Sequence, residues 1–412
     1  PGGSRESLLP GPRPLAAAPA KNCASTAANM DSRERLLTTL NHQEPDRIPF
    51  DLGSTQVTGI HVRAYANLRA ALGLPPADPT LADAIQQLAM PHDDLIARLG
   101  VDVRGLFPLN SHNWRVVEED EGDHWAYHDE WGITHHRAKP DGLYYSIVKV
   151  PLGGMDVTAA DIEGHDWPDM ADPCRIAGLR ERAERYRQGG QAVVLKDPFA
   201  GIFEMAQRII GMENCLMFMV VNRPVVETLF NKLLELKLAF WEMALPELAD
   251  AVDVVMLADD YGTQQSQLIS PAMYREQLKP LYRQLVGRIK TLAPRTRLFF
   301  HSCGNVRPLL PDFIEIGVDI LNPVHIRAAG MEPRALKQAF GADLVFWGGG
   351  VDTQGVLPHG TRQAVKDDVR RNIEALAPGG GYVFTTVHNI QADVPPENIV
   401  AMWEALQEYG VY

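Results

Sequence analysis

Positive charge, cysteine and long apolar runs are all scarce in this chain, and each scarcity removes a class of function. Lys and Arg number 39 against 52 Asp and Glu, a formal charge of −13, which argues against a nucleic acid or an anionic membrane as partner. The four cysteines (Cys23, Cys174, Cys215, Cys303) lie far apart with no CxxC pair. No disulfide framework is implied, and a reducing, cytoplasmic setting is expected. No apolar run approaches the roughly 18 residues that would span a bilayer. A P-loop, a GxSxG elbow, an HExxH helix and a GxGxxG turn are also missing, which removes the commonest nucleotide, esterase and metalloprotease readings. The 45% hydrophobic and 22% charged residues suit a globular protein with a large core.

Residues 1–29 are rich in Pro, Ala, Gly and Ser without an apolar core segment, so they read as a disordered extension and not as a secretion signal. Met30-Asp-Ser-Arg-Glu-Arg-Leu-Leu starts a helix, with Asp31 or Ser32 as its cap. From there to residue 412 one domain is expected. Short β-rich runs at 48–52, 101–107, 192–195, 252–257, 297–301, 318–321, 344–347 and 382–386 alternate with amphipathic helical stretches such as 225–247, 271–292, 361–377 and 396–409. Strands separated by helices of that length form parallel βα units, and eight of them favour a closed, distorted TIM-type (β/α)8 barrel. Residues 113–152 break the rhythm. Two alternating segments flank Lys139-Pro-Asp-Gly142 and predict a β-hairpin insertion near one mouth.

Arg297-Leu-Phe-Phe-His-Ser-Cys-Gly304 runs a strand straight into a His-x-Cys pair. Residues two apart on a strand share a face, so His301 and Cys303 aim an imidazole and a thiol at one point, and both are soft, zinc-type ligands. The plainer alternative is a core histidine beside a buried thiol; another is a Cys303 nucleophile with His301 as its base. Reactive groups of a βα barrel gather at the C-terminal strand ends. Polar sets stand at five of them: Asp259-Asp-Tyr261, His301-Ser-Cys303, Asn322-Pro-Val-His325, Gly348-Gly-Gly-Val-Asp352 and His388-Asn389. His388 is the best additional metal ligand or general acid. Asp259 and Asp260 are candidate bases or ligands, with helix capping as the alternative. Tyr261, Asn322, His325 and Asp352 are candidate substrate contacts, although His325 could equally be a solvated loop residue. The triglycine Gly348–Gly350 serves either close packing or the approach of an anion to backbone amides.

Several motifs together resemble the uroporphyrinogen decarboxylase superfamily. They are Arg33-Glu-Arg-Leu-Leu-Thr-Thr-Leu-Asn-His-Gln-Glu-Pro-Asp-Arg-Ile-Pro-Phe50, His301-Ser-Cys-Gly-Asn-Val306, Gly317-Val-Asp-Ile-Leu-Asn-Pro-Val324, Gly349-Gly-Val-Asp-Thr-Gln354 and Pro378-Gly-Gly-Gly-Tyr-Val-Phe384. The resemblance covers nearly everything after Met30 and implies that superfamily's distorted barrel. Its true decarboxylases are cofactor-free and clamp an acidic tetrapyrrole with an early arginine pair and an aspartate. Here the corresponding stretch offers Arg63 alone, and the aspartate's counterpart, Val103-Arg-Gly-Leu-Phe-Pro-Leu-Asn-Ser111, holds none.

The resemblance to the corrinoid-linked methyltransferase branch is closer. That branch holds zinc with a His-x-Cys pair and a later cysteine. His301 and Cys303 match the pair, but no cysteine follows Cys303, so His388, with Asp260, Asp259 or His325, must complete a site. The expected activity is zinc-assisted passage of a methyl group between a small substrate and the cobalt of a corrinoid. The corrinoid should arrive on a separate protein, because the chain has no Asp-x-His-x-x-Gly run. A cofactor-free decarboxylase and a non-catalytic tetrapyrrole- or corrinoid-binding barrel are the alternatives, and a homodimer is the expected assembly.

Overall fold

The structure, a computed structural model, describes residues 30–412; the extension expected over 1–29 lies outside the described residues. Seven strands, β1 (Val103–Leu106), β2 (Ala192–Lys196), β3 (Val254–Ala258), β4 (Arg297–His301), β5 (Ile320–Asn322), β6 (Val345–Trp347) and β7 (Tyr382–Val383), form one parallel sheet in chain order. The eighth stave is residues 49–51. The Pro49 carbonyl accepts from the Phe384 amide at 2.8 Å, Asp51 N–H donates to the Phe384 carbonyl at 2.9 Å, and the Phe50 carbonyl accepts from the Asp102 amide at 2.8 Å. These bonds tie β7 to β1 and close a TIM-type (β/α)8 barrel. The expected strand over 48–52 shrinks to this bridge because Pro49 has no N–H to extend the ladder.

Side-chain alternation sorts each stave into two layers. Val103, Ala192, Val194, Val254, Met256, Ala258, Phe299, Ile320, Val345, Trp347 and Val383 fill the barrel interior. Val193, Leu195, Val255, Leu257, Leu298, Phe300, Leu321 and Phe346 pack outward against the helices. Inward and outward positions therefore follow strand parity. A helix over Ser32–Leu40, capped by Asp31 with a reciprocal Glu34 bond, contributes Leu36 and Leu40 to the interior layer. It plugs the N-terminal end, which leaves the opposite mouth for chemistry.

The helices expected over 225–247, 361–377 and 396–409 are present as Arg223–Leu248, Arg362–Leu376 and Pro396–Tyr409. The one expected over 271–292 is interrupted by a π turn at Tyr274–Leu278 before it resumes at Lys279–Leu292. Pro280 can neither donate to the preceding turn nor fit beside its carbonyl, so the ladder widens there.

The insertion is larger than the expected hairpin. It is a four-stranded antiparallel meander, Glu119–Glu121, His124–His128, Thr134–Ala138 and Ser146–Lys149. The segment expected as a single strand turns back at 129–133, where Asp129 N–H donates to the Ile133 carbonyl at 3.0 Å. Trp131 sits in that turn with its ring 4.7 Å from Phe199, beside the loop that follows β2. The meander thus lies over the C-terminal mouth. No helix among the described residues is long and apolar enough to cross a membrane.

Candidate metal centre

His301 ends β4 on its inward face, because Phe299 two residues before it belongs to the interior layer. Cys303 follows two residues on, and His388 comes from the loop after β7. One ligand atom of each of these three lies within 4.8 Å of the others, the one such grouping among the described residues. His301 Nε2 stands 3.4 Å from Cys303 Sγ and 3.6 Å from Asp260 Oδ1. Ligands about 2.0–2.3 Å from a tetrahedral zinc stand about 3.3–3.8 Å from one another. Both separations are therefore already edges of such a tetrahedron.

The imidazole is held from behind. His301 pairs with Asn322 in the β4–β5 register, so the two side chains project side by side. Asn322 Nδ2 donates to the Trp347 carbonyl at 2.8 Å, which turns its Oδ1 to His301 Nδ1 at 2.5 Å. An oxygen facing Nδ1 demands a proton there and leaves the Nε2 lone pair directed at Cys303. This is how an oxygen behind the ring orients a metal-binding histidine.

The groups around the trio are ones that could hold a cation. Burial pushes the Cys303 thiol well up, and the negative charges of Asp260 and Glu204 push it further. Burial lowers His388 to about 4, with His301 adding to the effect, and burial also lowers His301. Asp260 is raised to about 6 by burial and by Glu204, although 40% of its side chain reaches the open mouth, where water screens part of that repulsion. Two neutral imidazoles and a thiol among acidic neighbours suit a soft divalent cation, whose arrival reverses the cost of the thiolate.

The adjacent aspartates behave differently. Asp259, expected as a second base or ligand, faces away from the trio. Its carboxylate accepts from the Phe203 amide at 2.9 Å, the Glu204 amide at 2.8 Å, Tyr261 Oη at 2.7 Å and Tyr282 Oη at 2.8 Å. It caps the helix Ile202–Ile210, and strand parity explains why it points out where Asp260 points in. Tyr261, expected at the substrate, is buried with its ring against Phe203 and Phe300. Asn322 positions His301 instead of meeting substrate. Asp352 caps its own turn through the Gln354 amide at 2.9 Å and lies 3.5 Å from Arg327.

Arg63 is nearly half exposed and reaches the Asp141 carbonyl of the insertion at 3.3 Å, so it fastens the meander and is not in the pocket. His325 stays beside the centre: its Nδ1 accepts from the Gly304 amide at 3.0 Å, and its buried Nε2 has no partner. The Cys303 turn is possible because glycines face each other. A Cβ on Gly262 would stand 2.4 Å from the Cys303 carbonyl. The triglycine serves packing, since a Cβ on Gly349 would meet Val324 at 2.7 Å and one on Gly350 would meet Phe384 at 2.4 Å.

Sequence reasoning missed Glu204 and Lys196. Glu204 lies in the first turn of the helix after β2 and pairs with Arg208; its acidity near a helix start was an available signal.

Residues 155–409, more than half the chain, match the sequence profile of the family described as uroporphyrinogen decarboxylase (URO-D). A uroporphyrinogen decarboxylase of Methylococcus capsulatus is 28% identical over 167 residues, which are 40% of this chain and 44% of that protein. The aligned region thus spans less than half of that relative. A solved methyltransferase from Methanosarcina mazei superposes with a TM-score of 0.62 at 18% identity, covering 92% of this chain and 99% of the other, which shows a shared fold. The protein is a member of the uroporphyrinogen decarboxylase (URO-D) family.

Proposed function

We propose that this protein is a metal-dependent methyltransferase or demethylase, with a zinc-type ion held by His301, Cys303 and His388 and with Asp260 beside them. The observation that carries the reading is the convergence of those three ligand atoms within 4.8 Å, backed by the Asn322 bond at 2.5 Å that frees His301 Nε2. Such an ion supplies Lewis acidity to a heteroatom of a small substrate. The chain's own groups do the rest. Cys303 would give up its proton to such an ion, and the depressed basicity of His301 and His388 keeps both lone pairs available at neutral pH. The buried Nε2–H of His325, without a partner, is a free donor for a substrate oxygen or nitrogen. Trp131 and Phe199 form an apolar wall under the insertion that keeps water from the reacting centre.

A corrinoid on a separate protein would supply the other half of the chemistry, a reduced cobalt whose electron pair would take the methyl group while the substrate heteroatom kept the bonding pair; His301, Cys303 and His388 would hold the ion that receives that heteroatom. The fold shared with a solved methyltransferase is consistent with this reading. A cofactor-free decarboxylation is the second reading, favoured by the match to the Methylococcus protein. Elemental analysis separates the two. Near one equivalent of zinc in the purified protein, lost in Cys303→Ser, supports the first. A protein that neither carries nor takes up zinc, and that decarboxylates in the presence of chelator, replaces it with the second.

A further inference from the structure

Lys196 ends β2, and parity turns it inward: Ala192 and Val194 belong to the interior layer, whereas Val193 and Leu195 pack outward. Its register partner on β3 is Met256, itself an interior residue two positions before Ala258, which pairs with His301. Two strand residues are about 6.6 Å, a rise that an extended lysine side chain covers. The ammonium therefore belongs to the same mouth as the metal centre.

It has no partner there. Among the described residues no carboxylate lies within ion-pair distance of Lys196, and its nitrogen makes no hydrogen bond; the charges that bear on it are Asp83, Asp197, Lys237 and Arg208. Asp197 gives its Oδ2 to Lys237 at 2.6 Å, and its buried Oδ1, without a hydrogen-bond partner, belongs by parity to the face opposite Lys196; Asp83 accepts from the Gln86 amide at 2.8 Å, and Arg208 is paired with Glu204. Burial disfavours the charged form of Lys196. A half-buried cation left unmatched is costly unless a ligand completes it.

We infer that Lys196 is the receptor for a carboxylate on the substrate, so that the methyl donor or acceptor is a small organic acid. This rests on the metal-centre reading for the reacting end of the molecule. Lys196 holds the acid end at the strand β2 side of the mouth, and the heteroatom then faces His301, Cys303 and His388. The charge arrangement also explains how an anion enters a mouth containing Asp260 and Glu204: their charge is matched by the bound cation and by Arg208, which leaves Lys196 for the substrate.

The test is binding, read without turnover. Methoxyacetate and the three methoxybenzoates are titrated calorimetrically into the zinc-loaded protein, each against its neutral amide, with zinc content measured on the same samples. At least one acid is expected to bind ten-fold or more tightly than its amide. Lys196→Met should abolish that preference and Lys196→Arg should retain most of it, with zinc content as in the wild type in both and a melting temperature for Lys196→Met equal to or above that of the wild type. Acids and amides that bind alike, a preference that survives Lys196→Met, or no binding of any acid at 10 mM overturns the inference. An acid preference that persists in protein unable to bind zinc sinks the metal-centre reading alone.

Discussion

At the N-terminal end of the barrel, Asp102 accepts from Arg35 at 2.7 Å, from Arg47 at 2.8 and 2.9 Å and from the Phe50 amide at 2.8 Å. At the C-terminal end Asp260 accepts a single backbone N–H, that of Cys303, at 2.8 Å. The contrast extends beyond the two aspartates. Below, Arg33 meets Asp253 and Lys290 meets Asp319, so charge is matched group by group. Above, the buried His325 Nε2 is unpartnered, Lys196 is unpaired, and the Cys303 thiol is pushed up by burial and acidic neighbours. The same residue types are satisfied at one end and left wanting at the other. One end closes the fold; the other leaves polar groups free to meet a ligand.

The comparison breaks most visibly at Asp102. Asp102→Ala removes the carboxylate that holds Arg47 and the Phe50 amide and one of the two that hold Arg35, which keeps Asp46 at 2.6 and 2.7 Å; it should cost about 3 kcal/mol of stability in chemical denaturation. Zinc stoichiometry below the melting transition should stay as in the wild type. A loss of zinc with unchanged stability would reverse the division of labour.

At the other end Asn322→Ala leaves the buried Trp347 carbonyl without its donor and should cost about 1–3 kcal/mol, while weakening zinc about 10–100-fold in a chelator competition, the usual effect of removing a group that orients a metal-binding histidine. Equal zinc affinity would mean that His301 needs no support from behind.

A smaller and opposite effect belongs to the barrel interior. Burial raises Asp51 to about 6 from 3.8, against hydrogen bonds from Ser54 and Trp347. Folding therefore strengthens this group's hold on its proton, and its contribution penalises the folded state above pH 6. Stability from this group should rise as pH falls from 7 to 4, by about 2 kcal/mol. Asp51→Asn should flatten the profile over that window, measured by denaturation at fixed pH values; an unchanged slope removes Asp51 as its source.

Most staves were legible because strand parity and helix period are written locally. β4, the capped helix at Asp31 and the three long helices follow from apolar spacing and caps alone. The first stave faded because Pro49 interrupts its ladder, and the insertion folded once more because Asp129 and Gly132 make a turn that the alternation of Trp125 to His135 conceals. Within the candidate site, His301 and Cys303 were readable from one strand and His388 from its place after another. Asp259 and Asp260 could not be told apart as isolated carboxylates. Only the helix arriving at residue 202 claims the first, and only the barrel's curvature turns the second to the mouth.

The amino-acid order by itself determined which residues alternate, where helices start and that an imidazole and a thiol share one face of β4, because these depend on neighbours a few bonds away. Tertiary structure alone decided that Asp260 and not Asp259 stands beside them, that Asn322 becomes a support for His301 and that Arg63 becomes a surface clasp. Those outcomes depend on which distant staves lie side by side once the barrel closes, and closure is set by the summed packing of the whole core.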